Sequence, residues 1–502
     1  MTMYPAPIAL VIASLFLSHA PLAPAETSVT IYSSAQPGSL SSASFRNSGE
    51  SGAIPGYATV RRDAEVALGS GRNVVRISDV PALIDPTTVG FESLTDPAGT
   101  RVVEQSFEFD LTSTSKLLQK YLDREVTIEQ VRGSSTEATT GTLIGTQDGL
   151  ILRMSDGSIR TISNYSGIKL QSLPGGLISK PTLVWDIAAE RAADHRIRYS
   201  FQTAGITWWA DYNLTLNDSS GGCKLDVGAW VTVINQSGAT FENTKLKLVA
   251  GDVQQVQPNL ANNYRQKGAM AMIAEAPASG FAEKALFEYH LYTLGRSTTL
   301  PNNASKQIEL FPRTGAVRCE KILVYSGQAV LHLGQDGGLI TDRNFGNQSN
   351  KKVDVYLRFK NREDNRLGVP LPAGKMRVSK IDSADQSLEF IGEDLIDHTA
   401  KNETVQIKLG SAFDVVGQRR QVDFRIDTKS KWMEEDIEVK VRNQKDEPVS
   451  VTAKENIYRW SNWTILNKSQ EFAKVDAHTI AFPLKIANGA EATVRYTVRY
   501  TW

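Results

Sequence analysis

The run "KLDVGAWVTVIN" at 224–235 puts an apolar residue at almost every second position, and the same two-residue period recurs along most of the chain. It returns at 29–32, 58–68, 73–80, 196–201, 245–251, 320–326, 352–359, 437–443 and 491–502. These segments are rich in Val, Ile, Thr and aromatics and are bounded by Gly, Asn, Asp or Pro. Because side chains alternate across a strand, each segment offers one face to a core and one to water. Helical spacing is sparse. It is clearest in "STSKLLQKYLDRE", 113–125, where Leu117, Leu118, Tyr121 and Leu122 share a side and Ser113 or Ser115 is the cap. The expected fold class is mostly β: several β-sandwich-like modules, a small Sm- or SH3-like barrel unit and few short helices.

A length of 502 residues exceeds one core and predicts about three or four domains. Residues 26–112 are expected to form an N-terminal β domain with a flexible Ser/Gly/Pro-rich loop at 33–56. Residues 113–173 read as the short helix plus the barrel-like unit, about five strands with turns at Gln147–Gly149, Ser155–Gly157 and Asn164–Gly167. Residues 174–330 are expected to be a central sandwich with a flexible insertion at 252–284, and 331–502 a C-terminal sandwich region of one or two modules.

The first 25 residues have the pattern of a secretory signal. Ile8 to Leu17 form an apolar core too short for a bilayer span, and "APA" at Ala23–Ala25 supplies small residues for cleavage before Glu26. No later run approaches the length of a helical membrane span. The expected location is therefore periplasmic or secreted, with outer-membrane association as a variant. Export admits disulfides. For Cys223 and Cys319, a bridge and two buried thiols are both open, since spacing does not fix the distance between them. Lys+Arg and Asp+Glu are both 55, so no global field draws the chain to nucleic acid.

No reaction motif stands out: HExxH, GxSxG, a Walker loop and a zinc ribbon are all missing. Neither a metal site nor a cofactor is expected. His195, His290, His332, His398 and His478 are scattered and are read as surface histidines in turns. The acidic runs at 432–438 and 361–365 lack calcium-loop spacing and are read as solvated turns. "LGSGRN", 68–73, is read as a hairpin turn, and Arg61–Arg62 and Arg419–Arg420 as isolated basic pairs. In the last strand Val494, Tyr496, Val498, Tyr500 and Trp502 share one face, as in a strand closing a sandwich or an outer-membrane barrel; no lipid-facing band favours the barrel.

Several ordered blocks resemble bacterial proteins of the domain of unknown function 4139 family, which is related to the mucoidy inhibitor A group. They are "GRNVVRISDVPALIDPTTV" (71–89), "LPGGLISKPTLVWDI" (173–187), "YSFQTAGITWWADYNLTL" (199–216), "FEYHLYTLGRSTTLPNNASKQIELF" (287–311) and "LGSAFDVVGQRRQVDF" (409–424). The resemblance implies export, a β-rich fold and no established activity, with Trp185, Trp208 and Tyr212 as structural signature residues. Pleating separates the adjacent tryptophans. Trp208 and Tyr212 fall on the core face, while Trp209 heads a polar face with Asp211 and Asn213. Trp208 is expected to be buried. Trp209 is expected to be partly exposed, packed under a loop or serving as a stacking platform for a ligand. The first functional reading is a non-enzymatic, exported envelope protein contacting protein or glycan. A hydrolase whose two carboxylates are brought together by folding is the alternative.

Overall fold

The computed structural model of the chain describes residues 26–32, 54–110, 112–133, 135–147, 149–172, 178–217, 222–251, 253, 280–327, 338–345, 349–382 and 384–502. It is 66% strand, with a single α-helix among the described residues. The signal-like residues 1–25, most of the 33–56 loop and most of the 252–284 insertion lie outside the described residues. The last residues of that insertion are ordered in the strand Phe281–Leu286, where a loop was expected.

The described residues form two sandwiches, a three-stranded sheet of Gly71–Ser78, Thr182–Ala189 and Thr100–Glu108, and a small five-stranded sheet with its own core. One layer of the first sandwich is an eight-stranded sheet in which Thr27–Tyr32 is central, antiparallel to Tyr57–Leu68 and parallel to Phe241–Ala250. The hairpin Phe281–Leu286 and Tyr289–Leu294 closes one side; Ala193–Ala204 and Ile84–Ser93 close the other. The facing layer contains Ile206–Asn217 and Lys224–Asn235, paired along their full length. Ile31, Val60, Phe201 and Leu248 from one layer meet Trp208, Tyr212, Val231 and Ile407 from the other in a single core. The chain crosses between layers through Gly205 alone, at φ +74°. Its carbonyl accepts the Gln236 amide at 2.7 Å, and a Cβ there would crowd Gln236 O at 2.9 Å. Both the turn and the space demand glycine.

Residues 26–112 and 174–330, expected as separate domains, contribute interleaved strands to this one sheet. "LGSGRN" is not a hairpin turn. Tyr57–Leu68 pairs with Ala193–Ala204, and Gly71–Ser78 pairs with Thr182–Ala189, so Gly69 and Ser70 carry one strand path from sheet to sheet. Next in the chain after the strand Thr100–Glu108 comes the helix Thr114–Lys120, capped by Ser113, whose Oγ accepts the Lys116 amide at 3.3 Å. Leu118 and Tyr121 cover a five-stranded antiparallel sheet with Ile128, Leu143 and Leu152 in its core. Its first and last strands in spatial order, Gly167–Lys169 and Ile159–Ile162, are not paired, so the expected barrel-like unit is an open sheet.

Two long strands, Ala304–Ser326 and Thr404–Asp427, run from the first sandwich into the second, so the boundary expected near 330 cuts through shared sheet. In the second sandwich Trp432–Asn443 lies between Thr404–Asp427 and Glu491–Thr501, and Val449–Asn456 pairs with Thr479–Ile486. Val494, Tyr496, Val498 and Tyr500 point into its core, which agrees with a strand closing a sandwich.

Candidate functional site

Trp208 is 0% exposed, and its indole Nε1 donates to Val249 O at 3.3 Å. Tyr212 is equally buried and donates to Pro372 O at 2.7 Å; burial pushes its phenol well above the usual range. Trp185 packs edge-on against Phe91 and Tyr199. All three residues of the structural signature are core groups.

Trp209 departs from expectation, since it is only 9% exposed. It forms a small cluster with Ile54 and Ile234, and its Nε1 donates to Asp211 Oδ2 at 2.9 Å. Asp211 also accepts from Thr232 Oγ1 at 2.6 Å and meets Arg377 Nη1 at 3.1 Å. The polar face is thus a satisfied network beneath an apolar lid, and Trp209 offers no open stacking platform. The aromatic that does reach solvent on this side is Trp230, directly across from Asp211. The alternation in 224–235 assigns Trp230 to the non-core side, opposite Ala229 and Val231.

Cys223 and Cys319 form a disulfide with Cα atoms 5.0 Å apart, and the Cys319 amide donates to Cys223 O. The bridge ties together the neighbouring strands Lys224–Asn235 and Ala304–Ser326.

The histidines are not uniformly at the surface. His195 is 1% exposed within Ala193–Ala204, between the hydroxyls of Ser93 and Thr100 and the Arg191 carbonyl. Nucleophile and base types meet there, yet Ser93 and Thr100 are buried too, so no substrate reaches them. His290 pairs with Glu283 at 2.7 Å, His398 accepts the Ala373 amide, and His478 is exposed. His332 lies outside the described residues.

Folding does gather carboxylates, in the second sandwich. The run at 432–438 is not a solvated turn but part of the buried strand Trp432–Asn443. Glu435 enters the core between Met433 and Ile437, and Glu455 enters from Val449–Asn456. Arg459 Nε lies 2.8 Å from Glu435 Oε1, and Arg419 Nε lies 2.8 Å from Glu455 Oε2. The phenols of Tyr458 and Tyr500 donate to Glu435 at 3.1 and 3.2 Å, and Tyr496 donates to Glu455 at 2.6 Å. Arg459 spends its other N–H groups on the carbonyls of Ile340, Asp342 and Phe345, with its plane over Phe424. Burial pulls the Arg419 guanidinium down, but Glu455 and its neighbours hold it well above its ordinary value. Burial raises Tyr496 and Tyr500 well above the usual phenol range. Each acid is therefore neutralised by its own guanidinium and sealed from solvent. General acid–base catalysis needs a carboxyl that a substrate can reach, and the burial of Glu435 and Glu455 denies that access.

The opposite face of the same strand carries a charge ladder. Glu434 is clamped between Arg425 (3.2 Å) and Arg499 (2.7 Å), and Glu438 between Arg420 (2.9 Å) and Arg495 (2.8 Å). Hydrogen bonding from Arg495 draws the Glu438 carboxyl below its usual range. Arg419 and Arg420, expected as an isolated pair, thus serve opposite faces of the sheet. In the 361–365 run, Asn361 and Asn365 are buried and bond backbone carbonyls, while the charged members face solvent.

Among the described residues no group of three or more His, Cys, Asp or Glu side chains is arranged to hold a metal ion, and no helix is long and apolar enough to cross a membrane. Among the described residues the large apolar side chains most open to solvent are Phe413, 93% exposed in the middle of Thr404–Asp427, and Phe287 at a hairpin tip. Leu388, Phe390 and Leu395 are also exposed, on the sheet-edge strand Leu388–Ile396. That strand runs beside Thr404–Asp427 without backbone pairing; Asp394 Oδ2 accepts the Lys408 amide at 2.7 Å instead. No family model, curated protein or solved structure matches the chain.

Proposed function

We propose that the chain is an exported, non-enzymatic protein of the cell envelope that acts through contacts with protein or glycan. One contrast carries this reading. The carboxylates that folding brings together are sealed and charge-paired, whereas Phe413, Phe390 and Leu388 stand in solvent. Contiguous exposed apolar surface marks contact sites, and Leu388 and Phe390 lie two residues apart on one face of the edge strand Leu388–Ile396. The Cys223–Cys319 bridge fits an oxidising compartment. Its relation to the domain of unknown function 4139 family belongs to the same proposal; Trp185, Trp208 and Tyr212 support it by forming the core that a shared signature would need.

The test is co-sedimentation of the purified chain with insoluble envelope polymer and with envelope proteins, alongside cell fractionation. Retention that falls at least tenfold in Phe413→Ser or Phe390→Ser is expected, with the chain recovered outside the cytoplasm. A cytoplasmic pool, or retention indifferent to both substitutions, overturns the reading.

A further inference from the structure

Arg62 is a charged side chain in a core-facing row. In the strand Tyr57–Leu68 the residues of its parity, Ala58, Val60, Ala64, Val66 and Leu68, all pack against the first core. Arg61 points the other way and is exposed. The buried guanidiniums of the second sandwich, Arg419 and Arg459, each have a carboxylate, Glu455 and Glu435. Arg62 is half-buried and has none. Among the described residues it forms no ion pair; its Nε is shut away from solvent without a hydrogen-bond partner, and Nη1 reaches only the Asp79 carbonyl at 3.5 Å. The guanidinium carbon lies 5.8 Å from the ring centre of buried Phe241. A charge at a core-facing position calls for a counter-charge, and the described residues do not supply one.

Arg62 lines a cleft of about 760 Å³. The other two cations of the lining are spent within the chain, Lys180 on Asp79 at 3.1 Å and Lys245 on Glu26. Glu242, also in the lining, is open to solvent. Arg62 is thus the one lining charge that is both half-buried and unpaired. A guanidinium presents forked N–H groups that match a carboxylate or a phosphate. Amide side chains complete the site. Asn302 Oδ1 accepts the Gly238 amide at 3.0 Å, while its Nδ2 and the whole side-chain amide of Asn243 have no partner among the described residues. The cleft has the size of a small-molecule site, far beyond a bare ion. One anchor for an oxyanion beside open amides is the chemistry that recognises a hydroxylated acid.

We propose that this cleft binds an acidic saccharide, its carboxylate or phosphate against Arg62 and its hydroxyls against Asn243 and Asn302. The site goes beyond the contact role proposed above, since it uses none of the exposed apolar residues that carry that role, and either can fail without the other.

Calorimetric titration of the purified chain with glucuronate, glucose 1-phosphate, glucose and inorganic phosphate tests it. At least one of the two acidic sugars binds saturably, and which one binds tells carboxylate from phosphate. Glucose and inorganic phosphate bind roughly tenfold more weakly or not at all, because each lacks half of the recognised chemistry. Arg62→Gln weakens the acidic sugar roughly tenfold or more, as does Asn243→Ala combined with Asn302→Ala. Arg61→Gln removes the same charge from the opposite face and leaves binding unchanged. Arg62→Met keeps or raises the thermal midpoint, since no internal partner is stranded. Failure of both acidic sugars to bind overturns the proposal. So does binding that survives Arg62→Gln, glucose or inorganic phosphate binding as tightly as the acidic sugar, or a thermal midpoint that falls in Arg62→Met.

Discussion

Arg459 and Glu435 meet in the core of the second sandwich with Nε and Oε1 2.8 Å apart, both side chains essentially unreachable by water. The pair is a contribution to specificity more than to stability. Removing one partner strands a buried charge, whereas removing both removes the desolvation cost as well.

Glu435→Gln is therefore expected to destabilise the chain by about 3–5 kcal/mol. The double variant Glu435→Met with Arg459→Met should be clearly less harmful than the sum of the two single changes. Urea unfolding of the four species checks this as a double-mutant cycle; additive effects would show that the two residues are not coupled.

The adjacent tryptophans should separate by magnitude. Trp208→Ala opens the first core and is expected to cost about 3–5 kcal/mol. Trp209→Ala removes a smaller cluster and one hydrogen bond to Asp211, with an expected loss of about 1–3 kcal/mol. Equilibrium unfolding ranks them, and the reverse order would invert the face assignment of Ile206–Asn217.

The disulfide closes a sequence separation of 96 residues. On chain-entropy grounds its loss costs up to about 4–5 kcal/mol. The thermal midpoint should drop on reduction, and Cys223→Ser should mimic the reduced protein. An unchanged midpoint would contradict this.

The pH dependence follows from two groups of opposite sign. Glu438 has its carboxyl lowered by Arg495, so its contribution is present above the unfolded value of 4.5 and disappears as pH falls through the lower folded value. Tyr496 and Tyr500 are raised by burial. Their contribution is present below the unfolded value of 10.0 and disappears as pH climbs above it. Stability should be broad and level between those limits. Arg495→Met should lower the plateau and make the acid limb shallower; urea midpoints from pH 2 to 11 measure both.

Much of this architecture is legible in the sequence. The run at 224–235 is the observed strand residue for residue: Leu225, Val227, Ala229, Val231 and Val233 alternate into the core, although the far end from Val231 to Asn235 is buried on both faces. The last strand also has the expected faces. What escapes is pairing between distant segments. Nothing local in Gly69–Ser70 distinguishes a hairpin from a path between sheets, since that depends on 182–204 returning alongside. The buried charges were visible in principle. Glu435 shares its parity with Met433, Ile437 and Val439, and Glu455 with Val451, Ala453 and Ile457. A charged side chain at a core position implies a buried partner, but the partner's identity depends on the fold. Trp209 misled because alternation gives a face, and Ile54 covers that face from far earlier in the chain.

The proposed contact role predicts binding without hydrolysis by the gathered carboxylates. The most direct measurement is calorimetric titration of the purified chain with solubilised envelope glycan and envelope protein, with product analysis of the same samples. Saturable binding with no new reducing ends or peptide termini is the predicted result. Turnover that disappears in Glu455→Gln, in a variant shown to remain folded, would contradict it.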